Sequence, residues 1–287
     1  MGFVDWFKKT FGKQPCAFCG NEVGMLKRTK IRDKSFICSD CGGKCSRYIQ
    51  KYRYTKEELL GHMAYMENQE KLFALVEGNF TLVVPTATRK QSIEFYDEHG
   101  MFRIRHRDGD NRYPKELIRY DQVASYEPYL EESDPEEQGK PKEFGECGVE
   151  ITLVGTDTDI TMLPRGLRSH PYIKETIRVC LEDDDRHRGE LLVNQVITHF
   201  NIIFGVNDSS SALFGFGPTK QQRREGAAAV AMAGMFGAAV RAAKEGEVSQ
   251  ETAAQFEDAM HKAADAATNG LAEYSRRADA AEALVEQ

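Results

Sequence analysis

Two CxxC pairs carry the chemistry most readily read from this chain: Cys16 and Cys19 in CAFC, then Cys38 and Cys41 in CSDC, separated by the eighteen residues 20–37. That separation places four thiolates tetrahedrally about one metal ion, and four sulfur ligands suit zinc. Two intervening residues let the chain reverse so that both sulfurs of a pair face one centre. Gly20 and Gly42 follow the pairs and permit positive φ at each turn. With cysteine at all four positions, no place stays open for activated water, so the expected cofactor is one structural Zn2+ with no catalytic part.

The same residues allow other readings: iron in the tetrathiolate cage, a redox CxxC, or a pair of disulfides. Disulfides belong to oxidising compartments, and no secretory signal precedes the segment. Cys45, four residues after Cys41, is a fifth thiol within reach, as a substitute ligand or a bystander.

Positioning these thiols needs a small scaffold. MLKRTKI and KSFI flank Arg32 and Asp33 as a short β-hairpin, and KCSRYIQKY after the second knuckle reads as the start of a helix. Knuckle, hairpin, knuckle and helix are the parts of a treble-clef-like module. About 40 residues bury too little apolar surface to fold alone, so the metal supplies much of the folding free energy.

The 287 residues carry a net charge of −7 with an uneven distribution. Residues 1–56 hold thirteen Lys and Arg against four Asp and Glu, and the remainder carries −16. Four thiolates on a divalent ion leave the N-terminal region at about +7, able to meet an anionic partner that the rest of the chain would repel. Seven cysteines without a disulfide pattern fit a reducing cytoplasm, with Cys147 and Cys180 as buried apolar residues. No apolar run is long enough for a membrane span.

Ahead of the module, Phe3, Phe7, Phe11 and Trp6 with Lys8, Lys9 and Lys13 form a short amphipathic helix, suited to docking on the protein itself or to a membrane surface. Its Met-Gly start lacks the Ser or Thr that myristoylation needs at position six, where Trp6 stands. After the module, Thr55 and Glu58 make a capping box for a helix with Leu59, Met63, Met66 and Phe73 as its apolar stripe. The period then turns strand-like, with TLVVPTA, SIEFYDE, MFRIRHR, KELIRY, ASYEPYLEE, VEITLVG and DITML as seven strands. A helical segment from about His170 to Phe204 follows, and seven strands closed by one helix is the pleckstrin-homology (PH)-like plan.

SSSALFGFGP links to an Ala-rich tail. Ala227 to Val240 is uncharged with small residues at Ala233, Gly234 and Gly237, and Ala253, Phe256, Met260, Ala263 and Ala267 form a heptad-like seam. The first suits a tightly packed helical hairpin, a self-association surface or, as the lesser alternative, membrane insertion, and the seam suits a protein partner or a second copy. The expected organisation is an amphipathic helix over 1–14, a zinc module over 15–54, a connector helix over 55–78, a PH-like β domain with closing helix over 79–206, and linker plus helical tail over 207–287. The fold class is α+β.

The four cysteines and Gly20 resemble the short four-cysteine domain of an uncharacterised bacterial family catalogued as a domain of unknown function. ELIRYDQVASYEPYLEES and YIKETIRVC resemble the downstream part of the same bacterial proteins, where a PH-like or GRAM-like β domain is expected. The resemblance implies zinc binding and no reaction.

Within the β domain, Arg103, Arg105 and Arg107 share one strand face near Arg89 and Lys90, a pattern for a phosphate-bearing ligand or for a solvated face. The histidines His62, His99, His106, His170, His187, His199 and His261 show no metal-ligand spacing, and no nucleophile motif is present. Asp108, Asp110 and Asn111 imitate part of a calcium loop, but Arg119 stands where its terminal Glu belongs. Two functions follow as expectations: a non-enzymatic, zinc-stabilised adaptor of the bacterial cytoplasm, or a nucleic-acid binder using Lys27, Arg28, Lys30, Arg32 and Lys34.

Overall fold

A computed structural model describes residues 12–85, 91–106, 113–133, 143–156, 166–173, 176–204 and 270–286. Sequence expectations for 1–11, for Arg89, Lys90 and Arg107, for the DITML strand, for the 108–111 loop and for the linker and Ala-rich tail up to residue 269 lie outside these. The chain divides into two compact units, Met1–Leu75 with Gly109–Glu116, and Val76–Asp108 with Leu117–Gln287.

The first unit begins with β1 (Gln14–Pro15) paired antiparallel to β2 (Glu22–Val23) around the first knuckle. β3 (Arg28–Lys30) and β4 (Phe36–Cys38) form the expected hairpin, with Thr29 opposite Ile37. Its turn is closed by Ile31 N–H to the Ser35 carbonyl at 3.0 Å and by the Asp33 carboxylate, which accepts from both the amide and the hydroxyl of Ser35. MLK, expected as strand, is instead a 3-10 turn at Met25–Lys27. α1 (Ser39–Gly42) is a single turn.

The helix expected over KCSRYIQKY does not form. After Gly42 and Gly43 the chain turns inward to bury Cys45, Ser46 and Ile49, and the Ser46 amide donates to His62 Nε2 at 3.0 Å rather than to a helical carbonyl. α2 (Lys56–Val76) carries the expected capping box: Thr55 N–H donates to the Glu58 carboxylate at 2.7 Å, and Glu58 N–H to Thr55 Oγ1 at 3.3 Å. Its buried face runs through Leu59, His62, Met66, Gln69 and Phe73, a three-four repeat containing two polar residues. Met63, expected in the stripe, is only half-buried. α2, expected as a connector, counts with the first unit up to Leu75, together with residues 113–116.

Among its described residues the second unit holds seven strands in two antiparallel sheets. β5 (Leu82–Val84), β6 (Gln91–Tyr96), β7 (Met101–His106) and β8 (Ile118–Arg119) pair in sequence order. β9 (Val123–Ser133), β10 (Glu143–Leu153) and β11 (Thr176–Glu182) form the other sheet with β10 central. TIRVCLE was expected within a helix and is a strand instead. Ile177, Val179 and Leu181 alternate inward with Thr176, Arg178 and Cys180, a period of two that suits a half-buried sheet.

α3 (Arg186–Ile203) starts at the Asp185 side chain, which accepts from Arg188 N–H, and lies on β9, β10 and β11. Phe200 meets Phe95 and Phe102 edge-on at 5.3 and 5.4 Å, joining the helix to the aromatic core. A helix over 270–286, α4, buries Leu271, Ala278 and Ala281.

Candidate metal centre

The first unit brings Cys16, Cys19, Cys38 and Cys41 together, one ligand atom from each lying within 4.8 Å of the others. Cys16 leaves β1 and Cys19 closes the knuckle. Cys38 ends β4 and caps α1 at its N-terminus, and Cys41 lies one turn on. Gly20 takes φ 75°, as the first knuckle requires. Gly42 is helical within α1 and needs no positive φ.

The Cys19 and Cys38 sulfurs are 3.8 Å apart. Tetrahedral sulfur at the ordinary Zn–S length gives an edge of about 3.8 Å, whereas a disulfide needs about 2.05 Å. None of the seven cysteines is in a disulfide. The cage has its own hydrogen bonds: Cys38 N–H donates to Cys16 Sγ and Cys41 N–H to Cys38 Sγ, both at 3.3 Å. Cys16, Cys38 and Cys41 are buried and Cys19 is exposed.

Electrostatics divide the thiols. Burial works to raise the Cys16 pKa, but backbone N–H groups of Cys19, Cys38 and Phe18 outweigh it and hold the thiol at about 6. Burial raises Cys38 and Cys41, and for Cys41 the neighbouring sulfurs raise it further. Four thiols so close cannot all ionise unaided; a bound cation is what such a donor set suits, and it can hold a metal ion such as zinc. Cys45 is fully buried, its pKa raised to about 11 by burial, and it stands outside the four-sulfur group.

The basic stripe on this unit is partly spent internally. Arg28 donates to the Gly12 carbonyl at 2.6 Å and stacks over Phe36 at 4.6 Å, and Arg32 pairs with Glu58 at 2.8 Å. Lys27, Lys30 and Lys34 are exposed.

In the second unit, Arg103 and Arg105 do share a face of β7, but Arg103 is 4% exposed and both face Glu94, at 3.4 and 3.6 Å. Tyr96 donates to the same carboxylate at 2.9 Å. Glu94 thus meets the buried Arg103 from the neighbouring strand, whereas the Arg105 side chain is 53% exposed, so of the two only Arg105 is presented to solvent.

Among the described residues the histidines form no metal-ligating group: His199 bonds Asp97 at 3.1 Å, while buried His170 accepts the amides of Tyr172 and Ile173 at Nδ1. Among the described residues one further group has metal-ligand chemistry, Glu182 with Asp183 and Asp184. Glu182 is already committed: Oε1 accepts the Asp183, Asp184 and Asp185 amides, and Oε2 pairs with Arg188 at 2.6 Å. Sequence reading missed Arg119, which is 4% exposed and holds Asp121 in a bidentate pair at 2.9 and 2.8 Å. The RYD triplet at 119–121 was its signal.

Among the described residues, no helix is long and apolar enough to cross a membrane. No curated protein and no solved structure matches the chain. The family described as Domain of unknown function (DUF4428) matches residues 14–62, the stretch that contains all four clustered cysteines.

Proposed function

We propose that residues 14–62 hold one structural zinc ion through Cys16, Cys19, Cys38 and Cys41, and that the protein is a non-enzymatic adaptor acting through the surfaces its two units present. Four sulfurs within 4.8 Å of one another carry this reading, since four thiolates suffice for a tetrahedral zinc shell with no position over for water or substrate. Knuckle, hairpin and knuckle follow in treble-clef order, without the closing helix over 44–52. Four strands and three strands with α3 against the latter support a PH-like plan for the second unit.

Elemental analysis of protein purified without added zinc is the direct test. One zinc per chain is expected, visible absorption would mark iron instead, and a clearly substoichiometric content of every metal would sink the proposal.

Exposed Lys27, Lys30 and Lys34 on the hairpin favour a second reading, phosphate contact with nucleic acid. Retention on mixed DNA or RNA that falls with salt and disappears in the triple Lys→Gln variant would replace the adaptor role. No retention at low salt removes it.

A further inference from the structure

The surface of the second unit beneath α4 has the features of a peptide site. Arg119 lies at its centre. Besides its own Asp121, the guanidinium pairs with Asp279 at 2.9 Å and Glu282 at 2.5 Å, and it donates to the Ser275 carbonyl at 3.3 Å. Arg168 grips the same Asp279 through two bonds of 2.8 and 2.9 Å. Ser275 Oγ donates to Asp121 at 2.8 Å, and Arg277 donates to the Asp97 carbonyl at 3.0 Å. Tyr274 stands edge-on against Tyr120 at 5.2 Å. Gly100 admits the helix backbone: a Cβ there would sit 2.1 Å from the Tyr274 carbonyl oxygen.

Two observations separate this contact from ordinary core packing. Arg119 has a bidentate partner, Asp121, on its own surface, so lifting the helix off would strand no unpaired buried charge. Arg119 and Arg168 together face one carboxylate of their own surface, Asp121, and the helix brings the two acidic groups that complete the set. The fit is charge-assisted and bidentate, the kind that confers specificity for carboxylates at defined spacing.

We propose that this surface is a binding site for an acidic amphipathic helix, occupied in cis by α4 as a reversible plug. Its ligand presents an aromatic residue, then carboxylates five and eight residues on, as Tyr274, Asp279 and Glu282 do. An acidic helix of a partner protein with that pattern displaces α4. The proposal names a surface and ligand for the adaptor role, and it stands apart from the metal, since none of these residues belongs to the first unit.

The test uses the full chain with a protease site inserted within residues 205–269 and cleaved after purification. A fluorescent peptide of residues 270–287 is expected to exchange into the cleaved protein and not into the uncleaved one. Peptide carrying Asp279→Asn and Glu282→Gln is expected to bind at least about tenfold more weakly. No uptake by cleaved protein, equal uptake by both forms, or indifference to the two substitutions overturns the proposal.

A second variant guards against a folding artefact. Gly100→Asn tolerates the left-handed backbone at φ 64° yet places a Cβ against Tyr274. Hydrogen exchange should then lose protection over 270–286 and keep it over α3. Joint loss would make α4 an integral part of the fold and end the proposal.

Discussion

At the scale of single residues, two buried titratable groups flank Ser46 and pull stability in opposite directions with pH. Ser46 Oγ donates to Glu116 Oε2 at 2.5 Å, and burial raises the Glu116 carboxyl from 4.5 to about 7. Its contribution to folding is therefore full below pH about 4.5 and lost as pH rises through about 7, a loss on the order of 3 kcal/mol. Burial, with the nearby Lys51 charge, lowers His62 to about 4, so its contribution is present above the ordinary 6.5 and lost as pH falls toward 4. A single pH profile mixes the two, but a difference isolates one. Glu116→Gln should be close to wild type in acid and progressively more stable than wild type as pH rises through about 7. Denaturant midpoints across pH check this, and a constant gap would mean the carboxyl is not held protonated.

Lys34 offers a simpler test, since it takes φ 70° in the hairpin turn. A left-handed non-glycine residue costs ~1–2 kcal/mol, and the extra chain entropy of glycine returns ~0.5–1 kcal/mol. Lys34→Gly should then stabilise the first unit by about 0.5 kcal/mol, read as a higher urea midpoint at unchanged slope.

At the scale of elements, the start of α2 separates a cap from an ion pair. Glu58 accepts the Thr55 amide and also meets Arg32 in an exposed pair. Thr55→Ala removes one half of the capping box and should cost about 1 kcal/mol. Glu58→Gln keeps an acceptor for the Thr55 amide and loses only the exposed charge pair, so it should stay within about 0.5 kcal/mol of wild type. Urea midpoints rank the two; a Glu58→Gln loss as large as that of Thr55→Ala would show that the Glu58 charge contributes as much as the Thr55 cap. In β10 and α3 the close approaches are made by glycines: a Cβ at Gly148 would lie 1.9 Å from the Val179 carbonyl oxygen, and one at Gly189 2.2 Å from Cys147 Sγ. Gly189→Ala should therefore lower the thermal midpoint of the second unit markedly, with a cost of roughly 1–3 kcal/mol for overpacking.

At the scale of the whole molecule, the two units differ in what stabilises them. The first joins a four-thiol cage on short strands and a one-turn helix to the buried face of α2; the second has a continuous aromatic and aliphatic core through Phe95, Phe102, Tyr120, Tyr126 and Phe200. Under the zinc proposal, a strong chelator should abolish amide protection over residues 14–62 and leave β9, β10 and β11 protected. Unchanged protection over 14–62 after complete metal removal would show that the cage is not what holds the module.

What the sequence determined was local. CxxC spacing brings each pair of sulfurs to one point because two intervening residues leave the chain little choice. The Thr55–Glu58 box likewise acts within one turn, and most strands announced themselves by alternation. The tertiary structure decided what depends on partners distant in sequence. TIRVCLE is a strand because β10 offers it an edge, and KCSRYIQKY is not a helix because Ser46 bonds to His62 and its neighbours are buried. Arg103 faces Glu94 across the sheet rather than an anionic ligand, and Arg119 meets Asp279 and Glu282 from the far end of the chain. Periodicity and spacing report how a segment can fold; which charge a buried arginine meets is settled by which surfaces the core brings together.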